Sequence, residues 1–214
     1  DFRTPAHFGR RGIGLNETDM ALPADSLFSA LCTLLARLEG TSAVTALLSR
    51  FPVFGQPSTY GRVPPLRLTS LMPTANGIDF LPMPILHPKL PGASIEIRKE
   101  IKGIAWVSTT IFQKLIAGTK LAEDDTAIDR RAGQREQPFT VQGGEVWVTR
   151  DEQATLGGPD SPLWKVETRP RVTVDRRTSA SAAFSSGSVL FTRNKEIHAG
   201  LYALVQWKDQ GNDL

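Results

Sequence analysis

Cysteine is nearly missing from this sequence of 214 residues: Cys32 is its single thiol. One cysteine forms no internal disulfide, so a disulfide-stapled scaffold is excluded and a reducing, cytoplasmic compartment is expected. Histidine is scarce too. His7, His87 and His198 are the 3 imidazoles, and none has a partner at metal-ligand spacing. No metal and no other cofactor is expected. No apolar run approaches the roughly 18–20 residues of a membrane span, and no signal peptide is visible, so no membrane partner is expected. Asp1 rather than Met opens the sequence, which reads as a trimmed chain. Charge of one sign is lacking as well. Lys and Arg number 25 against 22 Asp and Glu, a net +3 that permits a polyanionic partner without demanding one. What is present is ordinary for a globular protein, with 40% hydrophobic and 22% charged residues. The length suits one large domain or two small ones.

Hydrophobic periodicity gives an α+β reading. "DFRTPAHF" resembles the end of a strand and leads into the glycine-rich basic loop "GRRGIGLNET". Asp25 is a good N-cap, and Leu27, Phe28, Leu31, Leu34, Leu35 and Leu38 form a helical stripe that predicts core. Gly40 ends that helix, and a second short one is expected over 43–50. Prolines then break the pattern. "LRLTSLMP" and "IDFLPMP" read as strands around a turn at Asn76-Gly77. "IKGIAWVS" reads as a strand, and "TTIFQKLIAG" as a helix with Ile111, Phe112, Leu115 and Ile116 inward. Residues 121–137 are polar and charge-mixed, and read as mobile. "FTVQGGEVWVT" predicts a hairpin across Gly143-Gly144. "LWKVETRPRVTVD", "SVLFTR" and "HAGLYALVQW" are later strands. The order β-α-β-β-α-β suggests a ferredoxin-like (RRM-like) domain over 1–214, with insertions at about 52–65 and 119–165. Such sheets commonly carry single-stranded RNA.

Most local patterns have a plain reading beside a functional one. In "GRRGIG", Gly9, Gly12 and Gly14 surround Arg10 and Arg11. Closely spaced glycines let backbone approach phosphate, yet the loop matches neither a Walker loop nor a dinucleotide fingerprint, and a solvated turn has the same composition. His7 before the loop is a structural histidine or a general base. Asp124, Asp125 and Asp129 read as a solvated charge run rather than a metal site. Tyr60, Trp106, Trp147, Trp164 and Trp207 mostly sit in strand patterns, where core packing is the default. Ser26 and Ser29 lie in no nucleophile elbow.

"RPRVTVDRRTSASAAF" is harder to set aside. Residues two apart on a strand share a face, so Arg169 and Arg171 point one way and Val172 and Val174 the other. Arg176 and Arg177 extend the positive edge into a turn, where Thr178, Ser179 and Ser181 supply hydroxyls. Arginine grips phosphate through a planar fork. A soluble edge strand protected by charge explains the same pattern.

Several segments, in order, carry a resemblance. "PAHFGRRGIGLNETDMALPADSLFSALC", "FLPMPI", "KEIKGIAWVSTTIFQKLIAG", "RPRVTVDRRTSAS" and "GLYALVQWKD" resemble the RAMP subunits of type III CRISPR interference complexes. The nearest branch is the fourth subunit of the type III-A Csm complex, which caps the 5′ tag of the guide RNA. Met83 stands where that family usually has lysine, and Arg10 where an acidic residue is common. The family continues into a second ferredoxin-like half with another glycine-rich loop. None follows before Leu214, so the sequence reads as one half of a two-domain RAMP protein. The other half is cut from this chain, lost in a reduced version, or supplied by another polypeptide.

The resemblance implies a non-catalytic role in antiviral defence. The chain would hold the repeat-derived 5′ tag of the guide RNA and seat the large polymerase-palm subunit beside a backbone RAMP subunit, meeting target RNA only indirectly. Arg169, Arg171, Arg176, Arg177 and Thr178, with His7, Arg10, Arg11, Gly12 and Gly14, would be the RNA-binding residues. A protein hairpin that splays the tag nucleotides is also implied, with residues 121–150 as its expected source. Two alternatives stand beside this reading. One is a metal-independent RAMP endoribonuclease that processes guide RNA, with His7 as general base. The other is an assembly scaffold that contacts only protein.

Overall fold

The structure is a computed structural model and describes residues 4–9, 17–85, 94–131, 135–174, 177 and 181–208. In chain order the helices are α1 (Ala24–Glu39), α2 (Thr41–Leu48), α3 (Ile95–Lys102), α4 (Thr109–Ile116) and α5 (Arg150–Thr155). The strands are β1 (Leu66–Leu68), β2 (Met72–Ala75), β3 (Ile78–Pro82), β4 (Trp106–Ser108), β5 (Ile128–Asp129) and β6 (Gln137–Pro138). They continue with β7 (Thr140–Val141), β8 (Val146–Trp147), β9 (Trp164–Val174), β10 (Ser181–Phe191), β11 (Ala199–Tyr202) and β12 (Val205–Trp207). The fold is α+β, as the sequence reading expects. The elements group into two compact units, Asp1–Met20 with Met72–Tyr202, and Ala21–Leu71 with Ala203–Leu214.

The larger unit is built on a six-stranded sheet in the order β11-β2-β3-β4-β8-β7. Its β2–β3 turn has Asn76 at φ 50° and Gly77 at φ 79°, the left-handed pair that an Asn-Gly hairpin turn requires. The Asn76 amide also donates to the Thr155 and Glu196 carbonyls, at 3.1 and 2.8 Å. Strands β4 and β8 pair in parallel, and α4 follows β4 directly. Ser108 caps α4 by accepting from Ile111 N at 3.3 Å. Gly143 and Gly144 turn β7 into β8 at φ 62° and 94°, so the hairpin expected there forms. Against these strands packs a core that includes Ile97, Val107, Ile111, Leu121, Ile128 and Trp147, partly covered by Phe112 and Leu115.

Three local expectations for this unit are corrected. "IKGIAWVS" is not one strand. Ser94 caps α3, whose Ile97 and Ile101 are buried one turn apart, and strand geometry begins only at Trp106. Ile116 ends α4 facing outward, 65% exposed. The described residues of 121–137 are built into the fold, with Leu121, Ala127 and Ile128 fully buried. Many of their charges are paired. Lys114 Nζ lies 2.6 Å from Asp124, Arg130 pairs with Asp125 and Glu136, and Arg131 binds the buried Asp129 carboxylate. Asp124 and Asp129, 18% and 3% exposed, are therefore members of structural ion pairs, whereas Asp125, 74% exposed, is a solvated charge as expected.

Asp124 makes this segment acid-sensitive. Partial burial raises its pKa, but Lys114 and the Thr126 hydroxyl and amide outweigh burial and bring it down to about 2 from 3.8. A lowered folded-state pKa stabilises the protein above the unfolded value, and the gain is lost as pH falls through the folded value. It is complete above about pH 5 and worth at most about 2 kcal/mol. Between about pH 5 and pH 2 the wild type should lose more stability than Asp124→Asn does. Denaturant melts of both proteins across that range check this, and parallel losses would contradict it.

The smaller unit carries α1, α2 and the β1–β12 pair. Gly40, at φ 88°, separates the two helices. Pro23 is the N-cap of α1, and Asp25 lies inside its first turn, where its carboxylate accepts from Ser26 N at 2.7 Å. The stripe expected to be core is only half covered. Leu31, Leu34 and Leu38 are 42%, 52% and 71% exposed. Leu27, Phe28 and Leu35 of the same stripe are half-buried, together with Cys32, and Phe28 meets Phe51 edge to face at 5.4 Å. A helix apolar on more than one side does not reveal by periodicity which side turns inward. Tyr60 and Trp207 are likewise exposed, whereas Trp147 and Trp164 are buried as expected.

Candidate nucleic-acid interface

The arginine-bearing segment forms a two-stranded ribbon. β9 and β10 pair antiparallel from Trp164↔Phe191 at the root to Val174↔Ser181 at the far end. Eleven residues of strand span about 35 Å. The root is firmly seated, with Leu163, Trp164 and Val189 buried. Outward from Thr168, every residue of β9 is exposed, and so are Ser181, Ala182, Ala183 and Ser185 of β10. The described residues of this pair thus form an antiparallel ribbon exposed over its outer part. The described residues of 121–150, where a tag-splaying hairpin is expected, form the core segments and the β7–β8 hairpin described above.

Alternation gives the ribbon two unlike faces. Lys165, Glu167, Arg169 and Arg171 lie on one. Val166, Pro170, Val172 and Val174 lie on the other, and its three valines are 54%, 62% and 58% exposed. Pro170 fits a strand whose outer edge, among the described residues, pairs with nothing. The arginines are not equivalent. Arg169 donates through Nη2 and Nε to one Glu167 oxygen, at 2.9 and 3.2 Å. Lys165 Nζ reaches the other oxygen at 3.1 Å. Held first by Arg169 and then by Lys165, the Glu167 carboxyl titrates below its ordinary range. Arg171 makes no ion pair among the described residues and is exposed.

His7 sits at the root of the ribbon. Ala6 bridges Val189 of β10 in both directions, at 2.9 and 2.7 Å. That pairing brings His7 Nδ1 within 2.7 Å of the Gly187 carbonyl. Since a carbonyl only accepts, Nδ1 carries a proton, and in the neutral imidazole Nε2 is then the acceptor nitrogen. Gly187 faces Thr168 across the ladder, next to the Arg169↔Ser186 pair. The fold thus anchors His7, far away in sequence, on the root of the ribbon that carries Arg169 and Arg171 further out. Arg177 is in the turn beyond Val174. Arg10, Arg11, Gly12, Gly14, Arg176 and Thr178, with Asp175 and His87, lie outside the described residues.

Sequence reasoning missed Glu167 and Gln142. Glu167 was legible from its place two residues before Arg169. Gln142 carries no signal, because its role depends on the tertiary fold. Held at φ 56°, it accepts from Leu163 N and Trp164 N at 2.6 and 3.2 Å, and donates to the Trp164 carbonyl at 2.9 Å. One side chain so fixes the angle at which β9 leaves the body. Gln142→Ala should cost about 1–3 kcal/mol, because buried backbone groups lose their partners. It should also speed limited proteolysis at the ribbon root. An unchanged melting temperature and cleavage rate would contradict that role.

Comparison with known proteins gives one line of likeness. No family model matches the sequence, and no curated protein does. Among solved structures, the chain is similar to a Csm1–Csm4 cassette in complex with cA4. The likeness has 18% sequence identity and a TM-score of 0.49, and covers 89% of this chain and 54% of the other. The present chain spans about half the length of the chain it matches.

Proposed function

We propose that this chain is a non-catalytic, guide-RNA-binding subunit of a type III CRISPR ribonucleoprotein. In this reading it caps the repeat-derived 5′ tag and seats the large polymerase-palm subunit next to a backbone RAMP subunit, in the cytoplasm. Among the described residues no helix is long and apolar enough to cross a membrane. The observation that carries the reading is the ribbon. A buried structural hairpin would hide its valines, and an edge strand protected only by charge would not need to project. Here both faces stand free beyond Thr168, one cationic and one apolar. Those are the two surfaces a single strand offers in return, phosphate and base. The motifs quoted above, found in the order of the RAMP tag-capping branch, supply the identity of the RNA.

Co-expression with the large subunit, a backbone subunit and a CRISPR array tests this, with sequencing of the RNA that copurifies. Guide RNA with an intact 5′ tag is expected, and its loss when the ribbon arginines are replaced. Unloaded complexes with normal protein composition would favour the protein-only scaffold. The nuclease reading has one observation in its favour: the Nδ1 hydrogen bond makes Nε2 the acceptor nitrogen of a neutral His7, the tautomer that suits a general base. Incubation with repeat RNA in EDTA should leave the RNA intact. Specific cleavage abolished by His7→Ala would replace the capping role with an enzymatic one.

A further inference from the structure

We propose that Glu167 is an internal competitor for RNA. Its carboxylate occupies Arg169 in the free protein, lowers the affinity of the ribbon for indiscriminate RNA, and leaves Arg171 as the first cation that a phosphate meets. The inference rests on the RNA-binding reading above.

The placement of charge on one strand face carries it. Lys165, Glu167, Arg169 and Arg171 follow at every second position, so all four side chains rise from the same face. Glu167 is bracketed by cations on both sides, 3.1 Å from Lys165 and 2.9 Å from Arg169. Its side chain is only 26% exposed, against 72% and 51% for its partners. The two cations cover the carboxylate, as counterions cover a phosphate. Arg169 gives Glu167 the Nε and Nη2 donors, the side-on edge that also forks onto phosphate oxygens. Phosphate and Glu167 therefore compete for the same donors, and binding at Arg169 exchanges one ion pair for another. Binding at Arg171 displaces no carboxylate described in the structure. Exposed pairs of this kind add little to stability, so their main consequence falls on what else the cations can bind. A ligand that engages the whole ribbon, apolar face included, can displace Glu167. A ligand that offers phosphates alone gains little by doing so.

The test uses fluorescence anisotropy with fluorescein-labelled polyuridine RNA, titrated at salt concentrations from about 50 to 200 mM. Glu167→Gln keeps the shape of the side chain and removes its charge. It should tighten polyuridine binding about two- to fivefold at low salt and steepen the log–log salt slope by up to about 0.7, the increment for one freed contact on a single strand. Arg169→Ala should weaken binding less than Arg171→Ala does in the wild type, and about equally in the Glu167→Gln background. Unchanged or weaker binding by Glu167→Gln would overturn the proposal and make Glu167 an orienting residue or a bystander. Wild-type affinity in Arg171→Ala would instead remove the ribbon from the RNA surface, and this proposal would fall with that reading.

Discussion

Trp147→Ala should destabilise the larger unit by about 3–5 kcal/mol. Trp147 is fully buried. Its strand β8 is paired on both sides, in parallel with β4 and antiparallel with β7. Truncation opens a cavity among Val107, Ile111 and Ile128, residues of the same core, and a packed interior closes such a cavity only in part. The indole Nε1 also donates to the Ala127 carbonyl at 3.0 Å, so the substitution removes a buried hydrogen bond, although that carbonyl keeps Phe139 N as a donor at 3.0 Å. Leu31→Ala is the contrasting case. The helical stripe marks Leu31 as core, but its exposure in the structure limits the cost to about 1 kcal/mol or less. Denaturant unfolding followed by circular dichroism measures both. Equal losses, or a Leu31→Ala loss above that of Trp147→Ala, would contradict the packing described.

Removing both described arginines of the β9 face should act on RNA and not on folding. Arg169→Ala with Arg171→Ala should weaken binding of single-stranded RNA about tenfold at low salt and lower the log–log salt slope by about 0.7–1.4, for one to two lost contacts. The lower figure applies if Glu167 already holds Arg169 out of play. The loss should be similar for unrelated sequences, because phosphate contacts position RNA without reading bases. Stability should change by no more than about 0.5 kcal/mol, since both side chains are exposed and the single pair they make lies at the surface. Salt titrations paired with thermal melts separate the two effects. Equal affinities at every salt concentration would assign these arginines to solubility.

Short-range chemistry was the legible part of the fold. The Asn76-Gly77 turn, the Gly143-Gly144 hairpin, the end of α1 at Gly40 and the α4 helix all follow from residues within a few positions of one another. What failed depended on partners distant in sequence. Lys114 neutralises Asp124, and the Ala127 carbonyl receives the Trp147 indole, so a polar stretch that reads as mobile becomes part of the core. The α1 stripe failed for a different reason: Phe28, Leu31, Leu34 and Leu35 are equally apolar, and only tertiary contacts choose among them. Alternation alone placed Arg169 and Arg171 on one face. That His7 would dock on the same ribbon depended on the Ala6↔Val189 bridge, 183 positions apart in sequence, which no local pattern announces.

Ultraviolet cross-linking of guide RNA to the assembled complex, followed by mass spectrometry of the RNA-bearing peptides, tests the central claim most directly. If the ribbon holds the 5′ tag, cross-links should fall within 165–174 and 181–186, with tag nucleotides attached, and Arg169→Ala with Arg171→Ala should deplete them. A complex that carries tagged guide RNA yet yields no cross-links on β9 or β10, with labelling confined to other surfaces, would contradict the role assigned to the ribbon.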